Sequence, residues 1–285
     1  MIEIRTWLDL QRHGARVLAE AGVEDPLRDA RRLLGDALGV DAAGLIAIET
    51  KSVTAETVAS FMASIRQRQG GRPISRIRGW RAFYGRRFAI TRDVLDPRPE
   101  TELLVEQGLK RLASGGRVLD LGTGSGCILL SLLAAREDVT GVGVDISTAA
   151  LDVARLNARA FGLANRAEFY LGSWDDGGTG FDLILANPPY VTEAEFADLA
   201  VEVREHDPRL SLVGGVDGLD AYRAILAGLS RLLKPGGWLG LEFGAEQAKA
   251  VQALMANAGL EAVAILPDLA GLSRAAFGRM PAEAS

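Results

Sequence analysis

The chain has 285 residues, 48% hydrophobic and 24% charged, enough for one large globular domain or a large one with a small companion. No apolar run approaches the roughly 18 residues of a membrane span, and "MIEIRTWLDLQRHGARV" mixes charges through its apolar positions unlike a secretory signal, so a cytoplasmic protein with no membrane partner is expected. A single cysteine excludes an internal disulfide, and His13 and His206 form neither a zinc-ligand cluster nor a Ser-His-Asp order, so no metal and no nucleophilic hydrolysis are expected.

Before about residue 70 the sequence reads as short helices: Leu8 to Ala21, then "PLRDARRLLGDALG" from Pro26, with Leu27, Ala30, Leu33, Leu34 and Leu38 on one face, then "TAETVASFMASIRQRQ". Residues 1–72 are therefore expected to be a helical domain, closed by Gly70-Gly71-Arg72-Pro73. Residues 73–98 read as a β-hairpin connector, with "AFYG" and "RFAIT" alternating about Gly85. Residues 76–100 carry seven basic and three acidic groups, whereas residues 101–285 are net −9. Arg76, Arg78, Arg81, Arg86, Arg87, Arg92 and Arg98 are interleaved with Trp80, Phe83, Tyr84 and Phe88. That mix suits either a grip on RNA or an acidic partner, or a solvated hairpin with its aromatics tucked beneath.

Residues 99–285 form the expected second domain. "PETELLVEQGLKRLA" opens it as a helix with Pro99 in the first turn and Glu100 and Glu102 at the positive end. Strands are expected at "RVLDLG", "VTGVGVD", "AEFYLG", "FDLILA", "GWLGLEF", "EAVAIL" and "RAAFGRM", with helices after Gly126, Ser147, Asp217 and Ala245. Such alternation predicts an α/β domain with a parallel sheet covered on both faces. Cys127, in "GSGCILLSLL", reads as a small buried helix residue rather than a nucleophile.

"RVLDLGTGSG" puts Gly122, Gly124 and Gly126 where a first strand turns into its helix, so a ligand can approach the backbone. Asp145 follows the second strand, twenty-three residues beyond Gly122, positioned to bind both hydroxyls of a ribose. Together they predict an adenosine-containing cofactor. A dinucleotide fold also uses a glycine turn and an acid about 20 residues on, but its third glycine would fall at Cys127. Asp120 is either a holder of the cofactor's amino end or a solvated acid at the strand end.

"FDLILANPPYVTEAE" begins as a buried strand and stops at Asn187-Pro188-Pro189-Tyr190. Two prolines fix two φ angles and remove two donors, leaving nearby carbonyls without a ladder partner. The fourth strand of such a sheet ends at the ligand-binding edge. An amide or aromatic amine is a poor nucleophile until acceptors hold its two N–H groups and turn the lone pair toward an electrophile. The Asn187 side-chain oxygen and the Pro188 carbonyl are two such acceptors, and Tyr190 can lie over the planar group and exclude water. In-line displacement at an electrophile, driven by positioning and electrostatic fit, follows with no titrating base required.

The glycine pattern resembles motif I of the S-adenosylmethionine-dependent methyltransferases. With "PRPETE" (97–102), "LDLGTGSGC" (119–127), "ANPPY" (186–190), "HDPRLSLVGGVDGLDAYRAI" (206–225) and "PDLAGLSRAAFGRM" (267–280) in this order, the chain resembles the protein-glutamine methyltransferases that modify the Gly-Gly-Gln motif of class-1 peptide chain release factors. One departure is Asp96, which precedes Pro97 where an apolar residue is expected. The resemblance implies a Rossmann-like class I methyltransferase domain with a seven-stranded, mostly parallel sheet, joined by the hairpin to a helical domain that helps hold the release factor. It implies cofactor contacts from Gly122, Thr123, Gly124, Ser125, Gly126, Asp145, Trp174 and Asn187. Substrate glutamine would be held by Asn187, Pro188, Pro189 and Tyr190, of which Asn187, Pro188 and Tyr190 are the catalytic set. A ribosomal-protein glutamine methyltransferase has the same chemistry with another partner. An adenine-amino methyltransferase makes the same demands of Asn187 and Tyr190, but the acidic catalytic half argues against nucleic acid. A nicotinamide-dependent oxidoreductase and an inactive cofactor-binding module are further alternatives.

Overall fold

A computed structural model describes residues 6–48 and 51–282, so the ends of the expected domain ranges, residues 1–5 and 283–285, lie outside the described residues. The chain divides into two compact units, Met1–Gly79 and Trp80–Ser285.

The smaller unit is helical: α1 (Trp7–Glu20), α2 (Pro26–Leu38), α3 (Ala42–Ile48), α4 (Ala55–Gln69) and α5 (Ile74–Arg78). Helix α1 starts at a capping box, with the Thr6 hydroxyl accepting from Asp9 N–H and the Asp9 carboxylate accepting from Thr6 N–H. Helix α2 ends at Gly39 in the left-handed region. Trp7, Leu10, Leu33, Leu34, Phe61 and Ile65 are buried together. Gly14 is where α1 meets α4 most closely, since a Cβ there would fall 2.5 Å from the Phe61 ring. Arg68 donates to Asp29 at 2.7 Å as a buried pair. Helices α3 and α5, of seven and five residues, are too short to show a period in sequence.

The larger unit begins with the hairpin β1 (Trp80–Phe83) and β2 (Arg86–Ala89). Its turn residues Tyr84 and Gly85 both have positive φ (46° and 72°), matching the twist of paired strands. Phe83 and Phe88 meet edge-on at 6.0 Å, Phe88 meets Phe161 at 4.9 Å, and Ala89 N–H donates to the Asn157 side chain at 2.8 Å. The hairpin therefore shares the larger unit's core, and the division falls at Gly79 rather than at a separate connector.

Next come α6 (Glu102–Arg111), β3 (Arg117–Leu121), α7 (Cys127–Ala135), β4 (Thr140–Asp145), α8 (Thr148–Ala160), β5 (Ala167–Leu171) and β6 (Phe181–Ala186). The short helices α9 (Glu193–Phe196) and α10 (Val201–His206) lead to α11 (Asp220–Leu232), β7 (Leu233–Glu242), α12 (Ala248–Asn257), β8 (Glu261–Pro267) and β9 (Ser273–Arg279). The sheet order is β5-β4-β3-β6-β7-β9-β8, parallel except that β9 runs antiparallel between β7 and β8. From β3 the chain winds outward through β4 and β5, then returns to place β6 on the other side of β3. That reversal makes a crevice beyond the carboxyl ends of β3 and β6, where open α/β sheets bind ligands. Leu121 pairs with Ala186 at the end of this ladder, so Gly122 and Asn187 leave the sheet side by side.

Candidate active site

The glycine loop turns at Gly122, Gly124 and Gly126, all with positive φ (70°, 53° and 79°) that other residues adopt at a cost. Four of its five N–H groups are already engaged. Those of Gly122 and Thr123 donate to Val144 C=O, that of Gly124 to Asp145, and that of Gly126 to Thr123 C=O. A dinucleotide pyrophosphate needs such donors free. Gly122 and Gly124 line a cavity of about 700 Å³. Thr123 and Ser125 are buried away from it, and Gly126 caps α7 against Leu130.

Asp120 is not solvated. It is wholly buried, its Oδ2 accepting from Thr123 Oγ1 at 2.7 Å and from Leu129 N–H at 3.3 Å, while Oδ1 has no partner. Burial pushes its carboxyl up to about 7, against the pull of those two hydrogen bonds. A carboxyl raised on folding contributes stability below its unfolded pKa, and that contribution is lost as pH rises through the folded value. Melting temperature is expected to fall from about pH 4 to about pH 7, between the unfolded and folded values, and to fall less in Asp120→Asn; equal slopes in calorimetry would refute this.

Asp145, at the end of β4, is held by Gly124 N–H on Oδ2 and by Ser147 N–H on Oδ1, each at 2.9 Å. Each oxygen keeps a lone pair for the cavity it lines. Beside it Ile146 is 62% exposed, an apolar surface on the same wall. Trp174 closes the other side, its ring 3.3 Å from where a Gly122 Cβ would stand, so any side chain at 122 would strike it. A diol acceptor, two apolar flanks and a backbone free of side chains fit the nucleoside part of S-adenosylmethionine. The engaged loop donors fit it better than a dinucleotide.

Asn187 lines this cavity and also a second one of about 290 Å³, walled by Arg98, Glu100, Tyr190, Glu242 and Arg274. Its Nδ2 donates to Thr101 Oγ1 at 3.0 Å. No group among the described residues donates to the Pro188 carbonyl. Pro188 is buried, Pro189 lines the larger cavity, and Tyr190 is half-buried in the smaller. The corner is clasped from behind by the segment before α11: Val191 N–H donates to Leu212 C=O and Gly214 N–H to Val191 C=O. Gln247 donates to the Tyr190 carbonyl at 3.0 Å. A Cβ on Gly218, where φ is 72°, would fall 2.3 Å from that carbonyl and 2.5 Å from Gln247 Nε2. Gly218→Ala is expected to shift the corner and lower kcat by about 100-fold, with cofactor affinity by titration calorimetry near wild type; unchanged kcat would show the clasp dispensable.

Sequence reasoning did not single out Thr101, Ile146, Glu242 or Arg274 for the site. Glu242 ends β7 within "GLEFG", an acid following a buried run, and that was a usable signal.

The arginines of 76–98 are mostly committed within each unit. Arg78 pairs with Asp36 at 2.5 Å, Arg87 lies over Trp80, Arg86 over Phe161, and Arg98 pairs with Asp207 at 2.6 Å. Asp96, the departure from the family pattern, is buried with its N–H on Asp207 and Arg81 3.7 Å from its carboxylate. Polar partners thus replace apolar packing there.

The sequence matches the PrmC N-terminal domain over residues 9–79 and the methyltransferase small domain over residues 91–206. A solved structure named protein-(glutamine-N5) methyltransferase (release factor-specific), from Alicyclobacillus acidocaldarius, is 29% identical, with a TM-score of 0.40 covering 65% of this chain and 94% of that one. The release factor glutamine methyltransferase of Rhodospirillum rubrum is 47% identical across 93% of this chain and 82% of its own. That of Cereibacter sphaeroides is 48% identical across 93% of this chain and 95% of its own. Likeness on this scale takes in both units and not the glycine loop alone, and the chain belongs to the family of release factor glutamine methyltransferases.

Proposed function

We propose that the chain transfers the methyl group of S-adenosylmethionine to the side-chain amide nitrogen of the glutamine in the Gly-Gly-Gln motif of class-1 peptide chain release factors. The observation that carries this reading is that two cavities share Asn187, one suited to a nucleoside and the other lined by Tyr190 and charged groups. When bound, the cofactor supplies an electrophilic methyl carbon. Asp145, Gly122, Gly124 and Trp174 hold and orient it. Asn187 Oδ1 and the Pro188 carbonyl accept the two N–H bonds of the incoming amide, so that its lone pair turns toward the larger cavity. Tyr190 covers the planar amide. Burial pushes the Tyr190 phenol up, with Glu242 adding to it, so the ring stays neutral and apolar over its face. The methylated nitrogen, briefly cationic, releases its proton to solvent without a dedicated base.

Arg78 and Arg98 are ion-paired, while Arg86, Arg87 and Arg92 stay exposed, so the support for a protein substrate over DNA or RNA comes from the family and from the acidic balance of residues 101–285. No helix among the described residues is long and apolar enough to cross a membrane, and a substrate that works on ribosomes supports a cytoplasmic location. Purified class-1 release factor, incubated with the enzyme and methyl-labelled cofactor, should gain a single methyl on that glutamine by peptide mass spectrometry. An unmodified release factor beside a methylated ribosomal protein would overturn the assignment.

A further inference from the structure

Glu242 is only 2% exposed, and its Oε2 has no partner. A buried carboxylate with an unsatisfied oxygen costs stability, and such a group is commonly retained for function. It lies against both members of the pair formed by Asn187 and Thr101, and hydrogen bonding from each favours its charged form. A carboxylate only accepts, whereas a carboxamide has a donating end and an accepting end that a half-turn exchanges. An acceptor behind the corner therefore decides which end faces forward.

We infer that Glu242, with Thr101, is a positioning residue that locks the Asn187 amide with Nδ2 inward and Oδ1 toward the substrate nitrogen, a role that rests on Asn187 being the acceptor proposed above. Thr101 is suited to relay the constraint. Its hydroxyl accepts from Asn187 Nδ2 and has its own proton to give to the carboxylate. With the carboxylate ionised, the flipped amide would aim Oδ1 at an acceptor and its NH₂ at the substrate's NH₂, losing hydrogen bonds on both sides. With Glu242 protonated, the acid O–H can donate to Oδ1 and the flipped state becomes accessible.

The charged and titratable groups around Glu242 are Glu100 and Arg98 before α6, Tyr190 after β6, Tyr222 on α11, Arg274 on β9 and Cys127 on α7. Tyr222 donates its hydroxyl to the Glu242 main-chain carbonyl at 2.8 Å and does not compete for the carboxylate. Burial raises the Glu242 carboxyl to about 7, with Thr101 and Arg274 opposing and Glu100 assisting. The lock is thus closed above that pH and opens below it, so kcat should fall on the acid side.

The test measures kcat against pH with purified class-1 release factor and saturating S-adenosylmethionine, together with the side-chain amide resonances of Asn187 in ¹⁵N-labelled enzyme. Glu242→Gln is expected to lower kcat about 10- to 100-fold at alkaline pH, to flatten the acid limb, and to abolish the pH-dependent movement of the Asn187 amide signals. KM for the release factor should change little. Thr101→Val should lower kcat comparably and Thr101→Ser should restore it; if Glu242→Gln does not fold, this pair decides alone. Wild-type kcat with an unchanged acid limb in Glu242→Gln, or equal activity in Thr101→Val and Thr101→Ser, would overturn the lock. Turnover surviving in Asn187→Ala would instead sink the acceptor role on which it rests.

Discussion

Asn187→Ala is expected to lower kcat by about 10²- to 10³-fold while leaving S-adenosylmethionine affinity within a few-fold of wild type. The asymmetry comes from where the amide's two ends point. Nδ2 is satisfied inside the protein by Thr101, and the side chain stands on the wall shared by both cavities. Alanine removes an acceptor from the reacting nitrogen, where its contribution grows as the lone pair is pushed forward, and it removes only a flank of the cofactor cavity. A loss of that size corresponds to roughly 3–4 kcal/mol of transition-state stabilisation. Asn187→Asp is a sharper probe. It keeps an oxygen for the substrate but aims a second one at Thr101 and buried Glu242, so like charges meet where one donor stood. It too should be strongly impaired. Single-turnover methyl transfer and calorimetric titration of the cofactor separate the two effects; a large loss of cofactor affinity with intact turnover at saturation would mean the side chain serves the cofactor instead.

The catalytic fold was legible because its signals are local and ordered. Seven apolar runs separated by helical stretches specify a wound sheet, and the turn at Gly122 and the acid at Asp145 mark its carboxyl edge. The partners of Asn187 were less visible. Thr101 lies 86 residues away in sequence and Glu242 on another strand, and nothing periodic in "PRPETE" or "GLEFG" says that they converge. The glycine loop was read by its backbone freedom, but the fate of its donors depends on β4 lying alongside, which a one-dimensional pattern does not display. Asp120 shows the same limit: an acid at a strand end reads equally as a holder of the cofactor's amino end or as solvated, until α7 covers it and Leu129 N–H is found donating to it. The hairpin was foreseen from its alternation, yet its allegiance is set by Phe83 and Phe88 packing with Phe161, far along the chain.

Asp145→Ala should reduce S-adenosylmethionine affinity by at least about 100-fold, with kcat at saturating cofactor much closer to wild type than in Asn187→Ala. Two hydrogen bonds from a ribose diol to a carboxylate contribute roughly 1.5–3 kcal/mol each. The same carboxylate also fixes the loop, through Gly124 N–H and Ser147 N–H, so alanine frees both walls of the cavity at once. Asp145→Asn separates the contributions. Its single oxygen can serve the loop or the ribose, and its NH₂ faces a donor on one side or the other, so an intermediate affinity is expected. Burial raises the Asp145 carboxyl, and protonation there removes an acceptor. Cofactor affinity should therefore weaken as pH falls, and that dependence should vanish in Asp145→Ala. Calorimetric titration of the cofactor across pH, with kcat measured at saturation, tests all three. If Asp145→Ala bound cofactor normally yet turned over slowly at saturation, Asp145 would belong to the chemistry at Asn187 and not to the nucleoside wall.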